Sequence, residues 1–244
     1  LAQGNTPVNG PHQGAWVHTK YGEDWFVHFQ DKGPYGRVVH LQPLTWKDNW
    51  PIIGRVPQRG YCGTPYLSYR KPKAESRLIV TPQESDSFNL PRLGRQWQWQ
   101  SNYNPSFGMP TSLGFFRLYT YKTNDNFWNV PNLLLQKTPA DCFTVTAKLT
   151  LISKAEGQLG GLIMMGLDYS SLVVKRVGDG FVLQQMTCRN ADKGEAVTVT
   201  PLAHLAKTGQ DDNDYQFAIY EEAFLQMKVD GGIVRFAFSR DGKH

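Results

Sequence analysis

One segment constrains the fold more than any other. Phe143-Thr144-Val145-Thr146-Ala147-Lys148-Leu149-Thr150-Leu151 alternates apolar and polar residues without a break. A period of two fits only a strand with one buried face, which sends Val145, Ala147, Leu149 and Leu151 inward. Similar short runs recur nearby. Strands are expected at 160–166, 171–177, 181–183, 215–220, 224–229 and 233–238, with turns at Asp179-Gly180 and Asp230-Gly231-Gly232. No long helical period interrupts them. Many short strands at even spacing point to an all-β chain whose second part is a β-sandwich.

The first part is also β. Residues 14–20, 25–31 and 36–44 read as three strands of a meander, with a turn at 21–24 and a loop at 32–35. If Asp31 lies opposite Gly36, Gln30 faces Arg37 across the ladder, on the side of His28 and Val39; a slip of one residue reverses this. Three strands cannot bury both faces alone, so more sheet is needed around them. Trp46, Trp50, Pro51, Ile52 and Ile53 are expected to close the unit as an apolar patch. Residues 55–85, rich in Gly, Pro and basic residues, read as an ordered linker. The expected organisation is thus 1–54, a linker at 55–85, and a sandwich at 86–244. Arg240-Asp241-Gly242-Lys243-His244 reads as a hairpin turn after a strand, so both ends are expected to be cuts through a larger protein, with the sandwich truncated.

Bulk properties remove several function classes. Seven Trp and eleven Tyr in 244 residues fill β cores and also suit sugar rings. The net charge of +5 is spread along the chain without a stripe or a nucleic-acid motif, so no nucleic-acid partner is expected. No apolar stretch is long enough to cross a bilayer, and no membrane insertion is expected. Cys62, Cys142 and Cys188 lack CxxC spacing and read as three separate thiols.

No nucleophile elbow, phosphate loop or dinucleotide fingerprint is present. Asp211-Asp212-Asn213-Asp214 lacks EF-hand spacing and reads as a solvated loop. The meander's acids make no convincing acid/base pair. Glu23, Asp24 and Asp48 read as solvated turn residues, and Asp31 as a loop-closing acceptor of backbone N–H groups. His12, His18, His28 and His40 match no helix-borne zinc motif and, on strands, are not expected to share one face. His12 stands apart because Gly10, Pro11 and Gly14 fix the backbone around it. Arg37, after Gly36, has two readings: an ion pair with Asp31, or a fork donating to sugar hydroxyls.

These runs resemble a known family. Gly10-Pro11-His12-Gln13-Gly14-Ala15-Trp16-Val17, Trp25-Phe26-Val27-His28-Phe29-Gln30-Asp31, Gly36-Arg37-Val38-Val39-His40-Leu41-Gln42-Pro43 and Trp50-Pro51-Ile52-Ile53-Gly54 look like the last part of the five-bladed β-propeller of glycoside hydrolase family 43. Asp86-Ser87-Phe88, Leu93-Gly94-Arg95-Gln96-Trp97-Gln98-Trp99-Gln100 and Asn132-Leu133-Leu134-Leu135-Gln136-Lys137 are similar to the concanavalin-like sandwich that follows it in the β-xylosidase and α-L-arabinofuranosidase branch.

The resemblance implies an exo-acting, inverting hydrolase that removes terminal xylose or arabinofuranose from hemicellulose-derived oligosaccharides. Two carboxyl groups about 6.5–9.5 Å apart would flank the attacking water, with an Asp tuning the proton donor. All three acids belong to earlier blades, so no catalytic residue is expected in these 244 residues. The other partner implied is therefore the preceding propeller part, from the same gene or a separate chain. By the same resemblance His12 helps hold a central cation or water, with calcium the expected ion and no organic cofactor. Arg37 contacts the terminal sugar, and Gln30 and Phe127 (or Trp128) are further candidate substrate contacts. The alternative is a non-catalytic carbohydrate-binding sandwich, for which a piece of propeller would have no use.

Overall fold

The structure, a computed structural model, describes residues 1, 6–8, 13–76, 78, 80–122, 126–211 and 218–243. It is all-β and divides into two compact units, Leu1–Thr81 and Pro82–His244. Four 3-10 turns are the helical elements among the described residues.

The first unit is an antiparallel meander of four strands in the order β1 (Gly14–His18), β2 (Asp24–Asp31), β3 (Arg37–Lys47) and β4 (Trp50–Ile53). The patch expected at its end is a strand. Asp48 and Asn49 both take left-handed conformations, φ 50° and 61°, and this tight turn folds Trp50–Ile53 back on β3. Ile52 is fully buried, whereas Trp46 and Trp50 remain exposed.

Residues 55–81 do not leave the sheet as a spacer would. Gly54 N–H donates to Pro43 O, Arg55 bridges Thr64, and Gln42 exchanges two bonds with the Tyr66 backbone at 2.9 and 2.8 Å. Trp25 is buried against Tyr69. Polar clamps at both ends of the segment keep it on the first unit, and the division falls after Thr81.

The second unit opens with two short ribbons, β5 (Gln98–Trp99) with β8 (Leu134–Leu135), and β6 (Gly108–Pro110) with β7 (Phe116–Leu118). Two larger sheets follow. One runs β10 (Leu159–Met164), β11 (Tyr169–Val177), β12 (Gly180–Cys188), β13 (Thr198–Ala206). The other centres on β15 (Ala218–Asp230), flanked by β9 (Cys142–Ser153) on one side and by β14 (Gly209–Asp211) and β16 (Ile233–Ser239) on the other.

The facing sides of the two sheets enclose one core of Leu151, Leu172, Val174, Phe181, Leu183, Ile219 and Leu225. Successive residues of β11 point to opposite faces, and Val173 with Tyr169 buries a second cluster under Phe127, Val130 and Ala191. β11 is therefore buried on both sides, which is why Leu172-Val173-Val174 reads as a continuous apolar run.

β15 is one strand where two were expected. Glu221 interrupts the apolar pattern but lies fully buried, 3.2 Å from the Arg240 guanidinium, and accepts the Thr208 hydroxyl at 2.9 Å. A paired carboxylate can occupy an inward position that a lone one cannot.

Candidate functional site

The end of the first unit's sheet where β2 passes to β3 carries Asp31 and Arg37. Asp31 ends β2, and its carboxylate accepts the Gly33 N–H at 2.9 Å, as expected of a loop-closing acid. Gly33–Tyr35 forms a 3-10 turn, and Gly36 closes it with φ 75° and ψ −148°, backbone space that essentially only glycine occupies. The next residue, Arg37, is thereby set directly opposite Asp31.

That register is one residue away from the expected pairing of Asp31 with Gly36. Lys32, the 3-10 turn and Gly36 together take up five residues between the strands, so the ladder starts at Arg37. The consequence is a reversal of faces. Gln30 pairs with Val38, on the side of His28 and His40, while Arg37 sits with Asp31, Phe29 and Val39 on the other. The structure does not bring Gln30 and Arg37 together.

Arg37 is exposed, and its guanidinium carbon lies 4.7 Å from the centre of the Phe29 ring. Among the described residues no ion pair joins it to Asp31. An aromatic face beneath a planar cation steadies its orientation.

The opposite face carries a packed histidine pair. His28 is buried, and its ring lies 5.4 Å from that of His40 and 6.1 Å from Phe26. Burial holds both imidazoles below their ordinary pKa, and His40 adds a smaller effect on His28. By register His18 shares this face too, so His18, His28 and His40 lie on one side of the sheet. His18 nevertheless serves a different cluster. Its Nδ1 lies 2.8 Å from Asp24 Oδ1, and the Trp16 and Trp46 indoles donate to the same carboxylate at 2.8 and 3.1 Å.

Asp24 is therefore a structural acceptor in β2 rather than a solvated turn acid. Its pKa is lowered first by the His18 bond and then by the Trp16 indole. Glu23 is corrected likewise. It accepts the Lys73 N–H at 2.8 Å, the Arg70 guanidinium and the Trp25 indole, and the Lys73 and Arg70 bonds lower its pKa most. Asp48 stays at its turn and accepts the Tyr61 hydroxyl at 3.0 Å. The blade's described carboxylates thus hold its loops and strands together, and they do not converge on one cleft. Sequence reasoning missed the Asp24 cluster. Its signal was the common parity of Trp16, His18, Asp24 and Trp46 once the register is known.

Phe127, expected as a substrate contact, packs inward. It lies on a 3-10 turn, Phe127–Asn129, with its ring 5.5 Å from Tyr169 in the second core cluster and 8% exposed. Asn126 caps that turn from within the core, accepting the Trp128 N–H at 2.9 Å and donating to Ala191 O at 3.0 Å. His12 lies outside the described residues. Among those described, no group of three or more His, Cys, Asp or Glu could hold a metal.

Residues 85–244 match the family of β-xylosidase C-terminal concanavalin A-like domains of glycoside hydrolase family 43. The chain belongs to that family. A Xylanibacter ruminicola protein whose name marks it as a candidate β-xylosidase is 38% identical over 154 residues, 62% of this chain and 29% of the relative. The non-reducing end α-L-arabinofuranosidase BoGH43B of Bacteroides ovatus is 27% identical over 184 residues, 72% of this chain and 32% of the relative. The crystal structure of the GH43 protein BlXynB from Bacillus licheniformis superposes with a TM-score of 0.71 at 21% identity, covering 99% of this chain and 45% of that one. The GH43 chain therefore spans less than half the length of these proteins. Its all-β fold is the end of a β-propeller followed by a concanavalin-like sandwich.

Proposed function

We propose that this chain is the C-terminal part of an exo-acting, inverting glycoside hydrolase that releases terminal xylose or arabinofuranose from hemicellulose fragments. One observation carries the reading. Arg37 is presented at the exposed end of the blade by the Gly36 turn, steadied on Phe29, and among the described residues tied to no carboxylate. A planar double donor held in this way suits adjacent sugar hydroxyls. The names of the relatives support the substrate class.

In this reading Arg37 binds and orients the non-reducing terminal sugar. Such a contact holds the anomeric carbon in line between a water and a proton donor, which lowers the entropic part of the barrier. The acid and base come from propeller blades outside these residues, because the carboxylates of this blade are occupied. Gln30 and Phe127 take no part beside Arg37.

Turnover tests the reading. The purified 244-residue chain and the intact enzyme are assayed on p-nitrophenyl β-xyloside and p-nitrophenyl α-L-arabinofuranoside. The intact enzyme is expected to release nitrophenol from at least one, with inversion, and the chain alone from neither. An intact enzyme inactive on both, or clear turnover by the chain alone, refutes it.

A further inference from the structure

The outward face of the β9–β15–β16 sheet carries a cation arrangement that the proposed hydrolysis does not use. The inward side of these strands is the core: Leu149, Leu151, Ala223, Leu225, Phe236 and Phe238 all pack there. Their alternates face outward. In one row Thr144, Lys228 and Arg235 lie side by side across the three strands, and all three are exposed. Two rows away Lys148 sits opposite Phe224, its ammonium 5.8 Å from the ring centre. Four residues of strand separate Lys148 from the Lys228 row, roughly 14 Å.

Like charges directly opposite one another on neighbouring strands destabilise a sheet. Lys228 and Arg235 are such a pair, and among the described residues no ion pair offsets them. Among the described residues none of Lys148, Lys228 and Arg235 enters an ion pair. The carboxylates on this face, Glu222 and Asp230, lie in other rows and pair with neither. Between the cations stands neutral hydrogen-bonding surface, with Gln226 donating to Thr146 at 3.1 Å.

We propose that this face binds a uronate-bearing hemicellulose chain: carboxylates on its side groups meet the Lys228–Arg235 pair, and its neutral sugars lie over Gln226 and Phe224. The charge pattern selects this partner. Three cations against two carboxylates, spread along the face with neutral groups between them, match a chain with occasional carboxylates. A nucleic acid, with a charge about every 1.7 Å of duplex, calls for a denser basic surface. That the acidic polymer is a hemicellulose rests on the proposed function. The face itself lies on the sandwich, away from Arg37's strand in the sequence, and its test needs no turnover.

The test is affinity electrophoresis of the full 244-residue chain in gels containing glucuronoxylan, carboxyl-reduced glucuronoxylan or double-stranded DNA. Glucuronoxylan is expected to retard the chain and the reduced polymer to leave it unretarded. A Lys228→Gln/Arg235→Gln variant should bind about fivefold or more weakly, and raising the salt from about 0.05 to about 0.5 M should have a similar effect on the unmodified chain. Arg189→Gln/Lys193→Gln removes the same charge from exposed positions off this face and should bind as the unmodified chain does. Circular dichroism checks that both variants are folded. If the variant pairs lose binding equally, the effect is net charge and the proposal fails. Equal retardation by the reduced polymer, tighter retention by DNA, or no retardation by glucuronoxylan also overturns it. None of these outcomes bears on whether the intact enzyme cleaves xylosides, so the two readings fail separately.

Discussion

Arg37 lies over the ring of Phe29, its guanidinium carbon 4.7 Å from the ring centre, on the face of the blade opposite to Gln30. Arg37 and Phe29 sit on neighbouring strands, two pairs apart along the ladder and on the same face. This diagonal contact exists only in the register that sets Asp31 against Arg37.

Arg37 is expected to be sensitive to shape as well as charge. In the intact enzyme Arg37→Ala should lower kcat/KM by roughly 10- to 150-fold, the worth of a hydrogen-bonding charged group. Arg37→Lys keeps the charge but loses the planar fork, and should recover only a small part. The change in stability should stay within about 1 kcal/mol, because the stack is exposed. Steady-state kinetics and thermal unfolding of the three proteins decide it. Full activity in the Lys variant would show that a point charge suffices.

The turn that presents Arg37 is equally testable. Gly36 has a positive φ with nothing within 4 Å of an added Cβ, so alanine there meets backbone strain rather than a clash. Gly36→Ala should cost about 1–3 kcal/mol and also reduce kcat/KM, because Arg37 moves. Gly22→Ala has a similar φ of 73° and equally open space in the turn after β1. It should lower stability alone. Denaturant midpoints with kinetics on the same preparations separate the two effects.

Much of this was legible in the sequence and some was not, for local reasons. The alternation of 143–151 gave β9 its faces, since Val145, Ala147, Leu149 and Leu151 all lie on the more buried side. The strand β13 went unread because Pro201 and Leu202 break its pattern. The structure shows why they are tolerated: among the described residues β13 pairs only with β12, at an edge, and the register shifts by one residue beside Leu183 and Gln184. Glu221 hid the continuity of β15 in the same way, because its partner Arg240 is distant in sequence. The faces of Gln30 and Arg37 depended on loop length to within one residue, and only the conformation of Gly36 decides that.

Acidification should weaken the first unit in two stages. His28 and His40 have folded pKa values below their ordinary value of 6.5, so unfolded imidazoles take up protons first. Their stabilising effect is complete above about pH 6.5 and is lost as pH falls through the folded values. Glu23 and Asp24 are also depressed, from 4.5 and 3.8. Their contribution is present above those values and is lost at lower pH. Thermal unfolding followed by tryptophan fluorescence should therefore show stability falling below about pH 6.5. A His28→Gln/His40→Gln variant should flatten the first stage and leave the second. An unchanged slope in that variant removes the histidine pair from the account.

Phe127 should act on stability and not on sugar binding. Emptying its place beside Tyr169 by Phe127→Ala should cost about 3–5 kcal/mol of sandwich stability. KM for the aryl glycosides should be unchanged per folded molecule of intact enzyme. A raised KM with unchanged stability would return Phe127 to the substrate site.

The most direct measurement is a crystal structure of the intact enzyme with xylose or arabinofuranose bound. The account predicts that at least one Arg37 Nη lies within about 3.2 Å of a hydroxyl of the terminal sugar, with Phe29 still beneath the guanidinium. An occupied site in which Arg37 points elsewhere, or is bound to a carboxylate of a neighbouring blade, contradicts it.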